Sequence, residues 1–327
     1  MSGETTASPA GPKLSAVICT HDRYDLLPEA IESLLRQDIE LGAIEIIVVD
    51  NSSDQSAATD FARRYAGTAD LRYLVEPQPG LSNARNVGVA AARGGIVAFI
   101  DDDGRAAPGW ARALIAAHSV YQGEAGIVGG RVIPRWQTPP PGWLGSELFG
   151  YLSLVDLGDE RRELKPGEFL VGCNLSFDRA ALLATGGFSI RLGRIGSGAT
   201  LLSNEELEVA NRVARAGKLA IYAPDAVVEH VVHGNRLTQD WMRRRAAWQA
   251  VSDLLSRPDE AEALARDAAA HLHFERPRIG RFPERDTSEA VRHDMVTTYS
   301  EMILALHGGK VDAAHASSGW LQRIFRR

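Results

Sequence analysis

The chain has 327 residues, 45% hydrophobic and 24% charged, enough for one large or two modest domains with a well-buried core. A formal net charge of -6 argues against a nucleic-acid binder, which carries an excess of Lys and Arg. Cys19 and Cys173, the two cysteines, make neither a disulfide framework nor a zinc site, so both read as buried small hydrophobes in a reducing cytoplasm.

Met1 to Pro12 is rich in Ser, Thr, Gly and Pro, lacks an apolar core, and reads as a disordered tail instead of a signal peptide. No apolar run reaches the roughly 20 residues that span a bilayer, so the expectation is a soluble protein. From Lys13 the pattern alternates. Leu14 to Cys19 is a short apolar strand ending in Thr20-His21-Asp22-Arg23, and Leu26 to Gln37 carries a helical stripe at Leu27, Ile31, Leu34 and Leu35. A β-branched strand, Ile44 to Val49, ends at Asp50; Ser56 to Tyr65 is helical and Leu71 to Val75 is a strand. Ser82 is the expected N-cap of a helix through Arg93, and a fourth strand, Ile96 to Ile100, runs into Asp101-Asp102-Asp103-Gly104. Strand and helix in strict alternation predict an α/β fold with a mostly parallel sheet and helices on both faces. There is no G-x-G-x-x-G after the first strand and no G-x-x-x-x-G-K, so neither a dinucleotide fold nor a P-loop is supported.

The aspartate run is the chemically loaded junction. In an open α/β sheet, ligands bind at the carboxyl ends of the strands, where Thr20, Asp22, Asp50 and Asp101 to Asp103 fall. Clustered carboxylates repel unless something positive sits between them; a divalent cation is the usual answer, and a solvated acidic turn is the bland alternative.

Four segments in order, Ala16-Val17-Ile18-Cys19-Thr20-His21-Asp22-Arg23, Ile47-Val48-Val49-Asp50-Asn51-Ser52-Ser53-Asp54, Gly80-Leu81-Ser82-Asn83-Ala84-Arg85-Asn86-Val87-Gly88 and Ile100-Asp101-Asp102-Asp103, resemble the opening of family 2 glycosyltransferases of the GT-A fold. The likeness covers roughly residues 13 to 250. It implies an inverting, non-processive transferase moving a sugar from a nucleotide-sugar, UDP-sugar by default, to an acceptor hydroxyl. By that resemblance Asp50 accepts a hydrogen bond from the nucleobase, with Thr20, Asp22 and Arg23 lining the same pocket. A strand-end carboxylate takes the imide N–H of uracil or N1–H of guanine equally well, so the base stays open. Asn83 and Arg85 are implied near the sugar or ribose, with a plain surface helix cation as the alternative for Arg85. Asp101 and Asp102 are placed on the donor, and Asp103 on a Mn²⁺ or Mg²⁺ ion that bridges the diphosphate.

Phe169 to Phe177 reads as a strand, Asp178 as the cap of a helix Arg179 to Ala184, and Gly186-Gly187-Phe188 as a turn. This stretch is similar to the family's acceptor-side segment, with Gly172 and Asn174 in place. Asn204-Glu205-Glu206-Leu207-Glu208 resembles the family's acidic helix start, which puts Glu206 where the catalytic aspartate usually stands and leaves Glu205 as its rival. Acidic residues in a first helical turn also suit the macrodipole with no catalytic role. Ala226 to His230 is a strand whose terminal His230 the resemblance sets in the metal shell, with His233 as a substitute. Arg236 and Arg243-Arg244-Arg245 supply positive charge near the phosphates or a solvated helix face. Trp136 and Trp143 flank Pro139-Pro140-Pro141, where an aromatic ring stacks on an acceptor sugar or anchors the loop.

From Leu237 a helical stripe continues through Trp241, Trp248, Val251 and Leu255, with the tryptophans read as core. Pro258 to Leu272 and Ser288 to His307 are helical, joined by an Arg/Pro loop from Glu275 to Asp286. The tail Trp320 to Arg327 is short, apolar and basic, of a kind that touches an anionic membrane, docks on a partner or frays. The expected organisation is a tail at 1–12, a transferase domain at 13–235 with a donor half at 13–135 and an acceptor half at 136–235, and a helical extension at 236–327. The acceptor class stays open among carbohydrate, lipid-linked and small-molecule hydroxyls, in cell-surface glycan or glycoconjugate synthesis at the cytoplasmic side of the membrane. A nucleotidyltransferase and a catalytically dead sugar- or nucleotide-binding scaffold are the competing classes.

Overall fold

The structure, a computed structural model, describes residues 11–196, 200–275 and 286–308. Most of the expected N-terminal tail, the Arg/Pro loop and the basic tail from Trp320 lie outside the described residues.

The first half alternates as the sequence predicts: β1 (Leu14–Thr20), α1 (Leu27–Leu35), β2 (Ile44–Asp50), α2 (Gln55–Ala62), β3 (Leu71–Val75), α3 (Leu81–Ala91) and β4 (Ile96–Asp101). Both faces of these strands are covered, which is why their sequences run apolar without a polar alternation. Ile18, Ile46 and Val48 face α1 and the later helix α4 (Trp110–Val120), packing with Leu27, Ile31, Trp110 and Leu114. Val17, Ile47, Val49 and Phe99 point the other way, onto Ala84 and Val89 of α3 and onto Phe177 and Phe188. Period-two alternation along each strand makes this division.

Between β4 and α4 lies β5 (Gly104–Ala106); beyond α4 come β6 (Ala125–Trp136), β7 (Arg162–Glu163), β8 (Asn174–Asp178), α5 (Arg179–Ala184), α6 (Glu205–Arg215) and β9 (Leu219–Val232). The sheet order is β3-β2-β1-β4-β8-β6-β9-β5, with β7 paired to β9. β1 to β4 are parallel; β8 is antiparallel to both β4 and β6, and β5 and β7 are antiparallel to β9. The sheet is therefore parallel in its first half and mixed in its second. β8 starts at Asn174, opposite Ile100, and so enters from the end of β4 that carries the aspartates.

Of the boundaries that differ from expectation, two bear on the site. Gly80, not Ser82, occupies the N-cap of α3, at a φ of +133° that a side chain disfavours. Ser82 instead lies inside the helix and donates to the Leu192 carbonyl at 2.7 Å. Phe169 to Cys173 is loop, and the strand begins only at Asn174. At Gly172 the backbone passes so close to Arg85 that a Cβ would lie 2.6 Å from its Nη2, so the loop is shaped by a buried side chain rather than by a sheet partner.

The C-terminal helices are α7 (Gln239–Ser256), α8 (Ala261–Glu275) and α9 (Ser288–His307). Met242 and Ala246 of α7 and Met295 of α9 join one apolar cluster with Trp143, Leu148 and Tyr222 of the body. Trp248 and Val251 join another with Leu201, Ala268 and Met302, which makes Trp248 a core residue as its stripe predicts. Among the described residues no helix is long and apolar enough to cross a membrane.

Candidate active site

Strand register assembles one side of the site. Thr20 is paired with Asp50, and Cys19 with Asp101, so the polar ends of β1, β2 and β4 lie level. After Asp101 the chain turns through Asp102 and Asp103 into β5, where Gly104 is paired with His230 of β9. Val231 N–H donates to the Asp103 carbonyl at 3.0 Å, and the His230 Nε2 comes to 3.4 Å from Asp103 Oδ1. His230 is thus brought to the aspartates by a β-ladder from a residue 127 positions away.

Two of the three aspartates are buried and one is not. Asp102 accepts from the Thr20 hydroxyl at 2.8 Å and pairs with Arg23 Nη1 at 2.9 Å. Arg23 Nη2 donates to Asp103 Oδ2 at 2.8 Å and also lies 2.9 Å from His233 Nε2. Burial, with Asp103 beside it, drives the Asp102 carboxyl up despite Arg23. Burial pushes Asp103 up as well, but His230 and Arg23 outweigh it and hold that carboxyl well below its usual range. The pair therefore divides its roles, with Asp103 the carboxylate that stays charged. Burial, Arg23 and Arg236 lower the pKa of His233, keeping its imidazole neutral.

Asp103 Oδ1 and His230 Nδ1 are buried without a hydrogen-bond partner. Ligand atoms of Asp101, Asp103 and His230 all lie within 4.8 Å of one another, in a set of mixed oxygen and imidazole donors. A buried orphan carboxylate oxygen facing an imidazole fits a divalent cation of the Mn²⁺ or Mg²⁺ type.

Asp50 lies wholly buried, and its oxygens are in use. Oδ2 accepts from the Tyr73 hydroxyl at 2.6 Å and from Tyr24 at 3.1 Å, and Oδ1 accepts from Ser52 N–H at 3.0 Å. Neither tyrosine is visible as a site residue in the sequence. Tyr73 carries a weak signal, a hydroxyl-bearing ring two residues before the end of β3, paired with Val48 of the neighbouring strand. Asp22 takes a φ of +55°, and its carboxylate accepts from Ser53 N–H and Oγ at 3.2 and 3.1 Å. Asn51 ties this rim together, donating to the carbonyls of Glu76 and Gln78 and accepting from Gly80 N–H. Asn83 donates to the Gln78 carbonyl at 2.9 Å.

The opposite side hangs on one ion pair. Arg85, on α3, is 3% exposed and not a surface cation. Its Nη1 reaches Glu205 Oε1 at 2.6 Å, its Nη2 lies 3.9 Å from Asp101, and its guanidinium stands 5.4 Å from the Phe188 ring centroid. A buried arginine thereby links the start of α6 to the end of β4. Glu205 and Glu206 open α6, and each keeps a buried Oε2 without a partner. Burial, together with Glu205 alongside, raises the Glu206 carboxyl to about 7 against the pull of Arg85. Arg236 and Arg245 lie near this acidic centre, Arg245 facing Glu206 and Arg236 facing Asp103, and burial and Arg194 lower both.

The expected acceptor-side residues sit deeper than the sequence suggests. Asn174 is fully buried; its amide donates to the carbonyls of Arg131 and Ala226 at 3.0 and 2.7 Å and accepts from Trp110 Nε1 at 2.8 Å, so it ties strands to a helix. Trp143 is packed among Leu148, Leu152 and Met242 and anchors its loop. Gly172 meets Arg85.

Residues 15–183, just over half of the chain, match the family model described as glycosyl transferase family 2. A glucosyl-dolichyl phosphate glucuronosyltransferase of Haloferax volcanii is 29% identical over 270 residues, covering 78% of this chain and 82% of that protein. A mannosyltransferase of Pyrobaculum calidifontis solved with GDP-Man and Mn²⁺ superposes with a TM-score of 0.57 at 20% identity, over 92% of this chain and 87% of that one. S. aureus TarS, solved with UDP-GlcNAc, gives a TM-score of 0.53 at 16% identity over 91% and 92%. The helix carrying Glu205 and Glu206 lies beyond the segment matched by the family model.

Proposed function

Because the chain belongs to glycosyl transferase family 2 and has the GT-A fold, we propose that it is an inverting, metal-dependent glycosyltransferase that moves a sugar from a nucleotide-sugar, UDP-sugar first, to an acceptor hydroxyl. The observation that carries this reading is the Arg85 bridge between Glu205 and Asp101, which sets an acidic helix start beside the Asp-x-Asp turn.

Asp103 and His230, with Asp101 at the rim, would hold Mn²⁺ or Mg²⁺, and the ion would neutralise charge on the diphosphate leaving group. Arg23 fixes Asp103 from the other side and leaves Oδ1 directed at that position. Thr20, Asp22, Arg23 and Asp50 form the nucleoside end. There the base N–H takes the place of the Tyr24 hydroxyl on Asp50, the longer of the two tyrosine bonds. Glu206, unprotonated above about 7, accepts the proton of the acceptor hydroxyl as its oxygen attacks the anomeric carbon opposite the departing diphosphate. Arg85 neutralises Glu205, so that two adjacent glutamates remain tolerable where one must be charged. Asn83 and the Ser82 turn of α3 border the sugar.

The test is the melting temperature with UDP, GDP, dTDP and CDP, each with and without Mn²⁺. A nucleotide at about 100 times its Kd adds about 2.7 kcal/mol to the folded state. The expected result is a shift for one nucleotide that requires the ion and disappears in Asp103→Ala. No shift with any of the four, or one that ignores both the metal and the substitution, overturns the reading.

A further inference from the structure

Four of the helices begin conventionally. Asp54, Asp178, Thr238 and Thr287 each precede a helix outside the helical region of backbone space, and each side chain accepts from a first-turn N–H. Asn204, the residue before Glu205 and Glu206, belongs to the same capping class and does not cap. It takes a left-handed φ of +72°, and its side chain makes no bond to α6. Asparagine tolerates that conformation better than other non-glycine residues, but it forgoes the cap bond to adopt it.

That side chain is committed elsewhere. Asn204 Nδ2 donates to Asp253 Oδ1 at 2.7 Å, and Asn204 Oδ1 accepts from Gln249 Nε2 at 3.0 Å. Gln249 also donates to Asp253 Oδ1 at 2.8 Å, Tyr299 of α9 donates to Oδ2 at 2.8 Å, and Arg257 pairs with Oδ2 at 3.1 Å. One position upstream, Ser203 N–H donates to the Ser252 hydroxyl at 3.0 Å. Leu201 is sunk among Trp248, Val251 and Met302. Asn204 and Asp253 are 6% and 7% exposed. A buried carboxylate surrounded by four donors is a costly way to join helices that already share an apolar cluster, so what it adds is a fixed direction.

We propose that Asn204 and Asp253 are positioning residues for Glu206, so that α7 and α9 of the C-terminal extension, more than the sheet, aim the base. This rests on Glu206 being the base. The network holds Asn204 in the left-handed conformation, that conformation sets the direction in which α6 departs, and Glu206 stands two residues further on. A reacting group displaced by about 1 Å costs about 100-fold in rate, so a link this short is long enough to matter.

The experiment compares Asn204→Gly, Asp253→Asn and the swap Asn204→Asp with Asp253→Asn, with Glu206→Gln as a separate arm. Nucleoside diphosphate release from UDP-glucose and GDP-mannose in Mn²⁺ gives kcat and KM, and hydrogen exchange is read at the Glu205 to Glu208 amides. Asn204→Gly keeps the backbone conformation accessible while deleting the link. The expected result for each single substitution is a kcat lowered by about 100-fold at unchanged KM, with faster exchange at those amides. The swap rebuilds an amide–carboxylate pair with its polarity reversed and recovers kcat. Unchanged exchange and unchanged kcat in both single variants overturn the proposal, as does a swap that restores stability but not rate. If Glu206→Gln keeps full activity, the base assignment fails by itself. If it is inactive while Asn204→Gly is unaffected, only the positioning role fails. Exchange is read even where neither donor is turned over, and unaltered protection at Glu205 to Glu208 then sinks the proposal.

Discussion

On the proposed donor side, Thr20, Asp50 and Asp101 stand at matched positions of neighbouring parallel strands, and His230 joins them through the β5–β9 ladder, so backbone hydrogen bonds fix their spacing. On the side of the proposed base, α6 leaves its loop through left-handed Asn204, with Glu205 held by Arg85 from α3 and Asn204 held by the Asp253 network from α7 and α9. A ladder tolerates the loss of one side chain, because the strands still align. A site hung on side chains does not, so sensitivity to substitution should be concentrated on the base side.

Arg85→Met is the strongest way to break that contrast. It strands Glu205 as a buried charge, and unpairing a buried ion pair costs about 3–5 kcal/mol, read by urea unfolding at pH 7. A loss under about 1 kcal/mol, the range of a surface pair, would mean that the sheet carries this side too. Next comes Glu206→Gln, for which general-base catalysis predicts a kcat about 10³-fold lower while metal-dependent nucleotide binding persists.

The pH profile sharpens the same point. Glu206 is faced by Glu205 on its own helix, Arg85 on α3, Arg245 on α7 and Cys173 on the loop before β8. For Glu206 as the proposed base, its folded-state pKa, raised to about 7, predicts a wild-type kcat that is low below that value and higher above it, a limb that Glu206→Gln lacks. Stability has the opposite sign. Between the ordinary carboxylate range and about 7 the folded chain holds a proton that the unfolded chain has lost. Glu206 therefore favours folding at low pH and loses that contribution as pH rises through about 7, and the advantage of Glu206→Gln grows over the same window.

On the donor side Tyr73→Phe removes one of two hydroxyls from buried Asp50 and is expected to cost about 1–3 kcal/mol, with no change in strand register by amide exchange. The smallest effect is reserved for Asp54→Ala, which removes an ordinary N-cap from α2 at about 1 kcal/mol and leaves nucleotide binding and turnover alone.

The acid-tipped strand ends were legible along the chain, because Asp50 and Asp101 each close an apolar run and such runs are strands whatever surrounds them. The cap at Asp178 and the limits of α9 were equally local. Asp50 was visible as a strand-end acid, whereas Tyr24 and Tyr73, which close over it, were not, since a tyrosine's partner lies in another strand or loop. Gly172 and Asn174 were marked by the family resemblance, and the structure sets them against Arg85 and in strand ties, contacts that a reading along the chain does not show.

What the sequence determined by itself was the order of strands and helices in the first half, the apolar faces and the acid-tipped strand ends, because hydrophobic period and turn chemistry act over a few residues. Only the tertiary structure decided that β8 runs against β4, that Arg85 is buried on Glu205, that His230 meets Asp103, and that Asn204 gives up its cap for Asp253. Each of those pairs lies 49 to 127 residues apart or in opposed strands, and such contacts form only when the packed core repays the entropy of closing the loop between them.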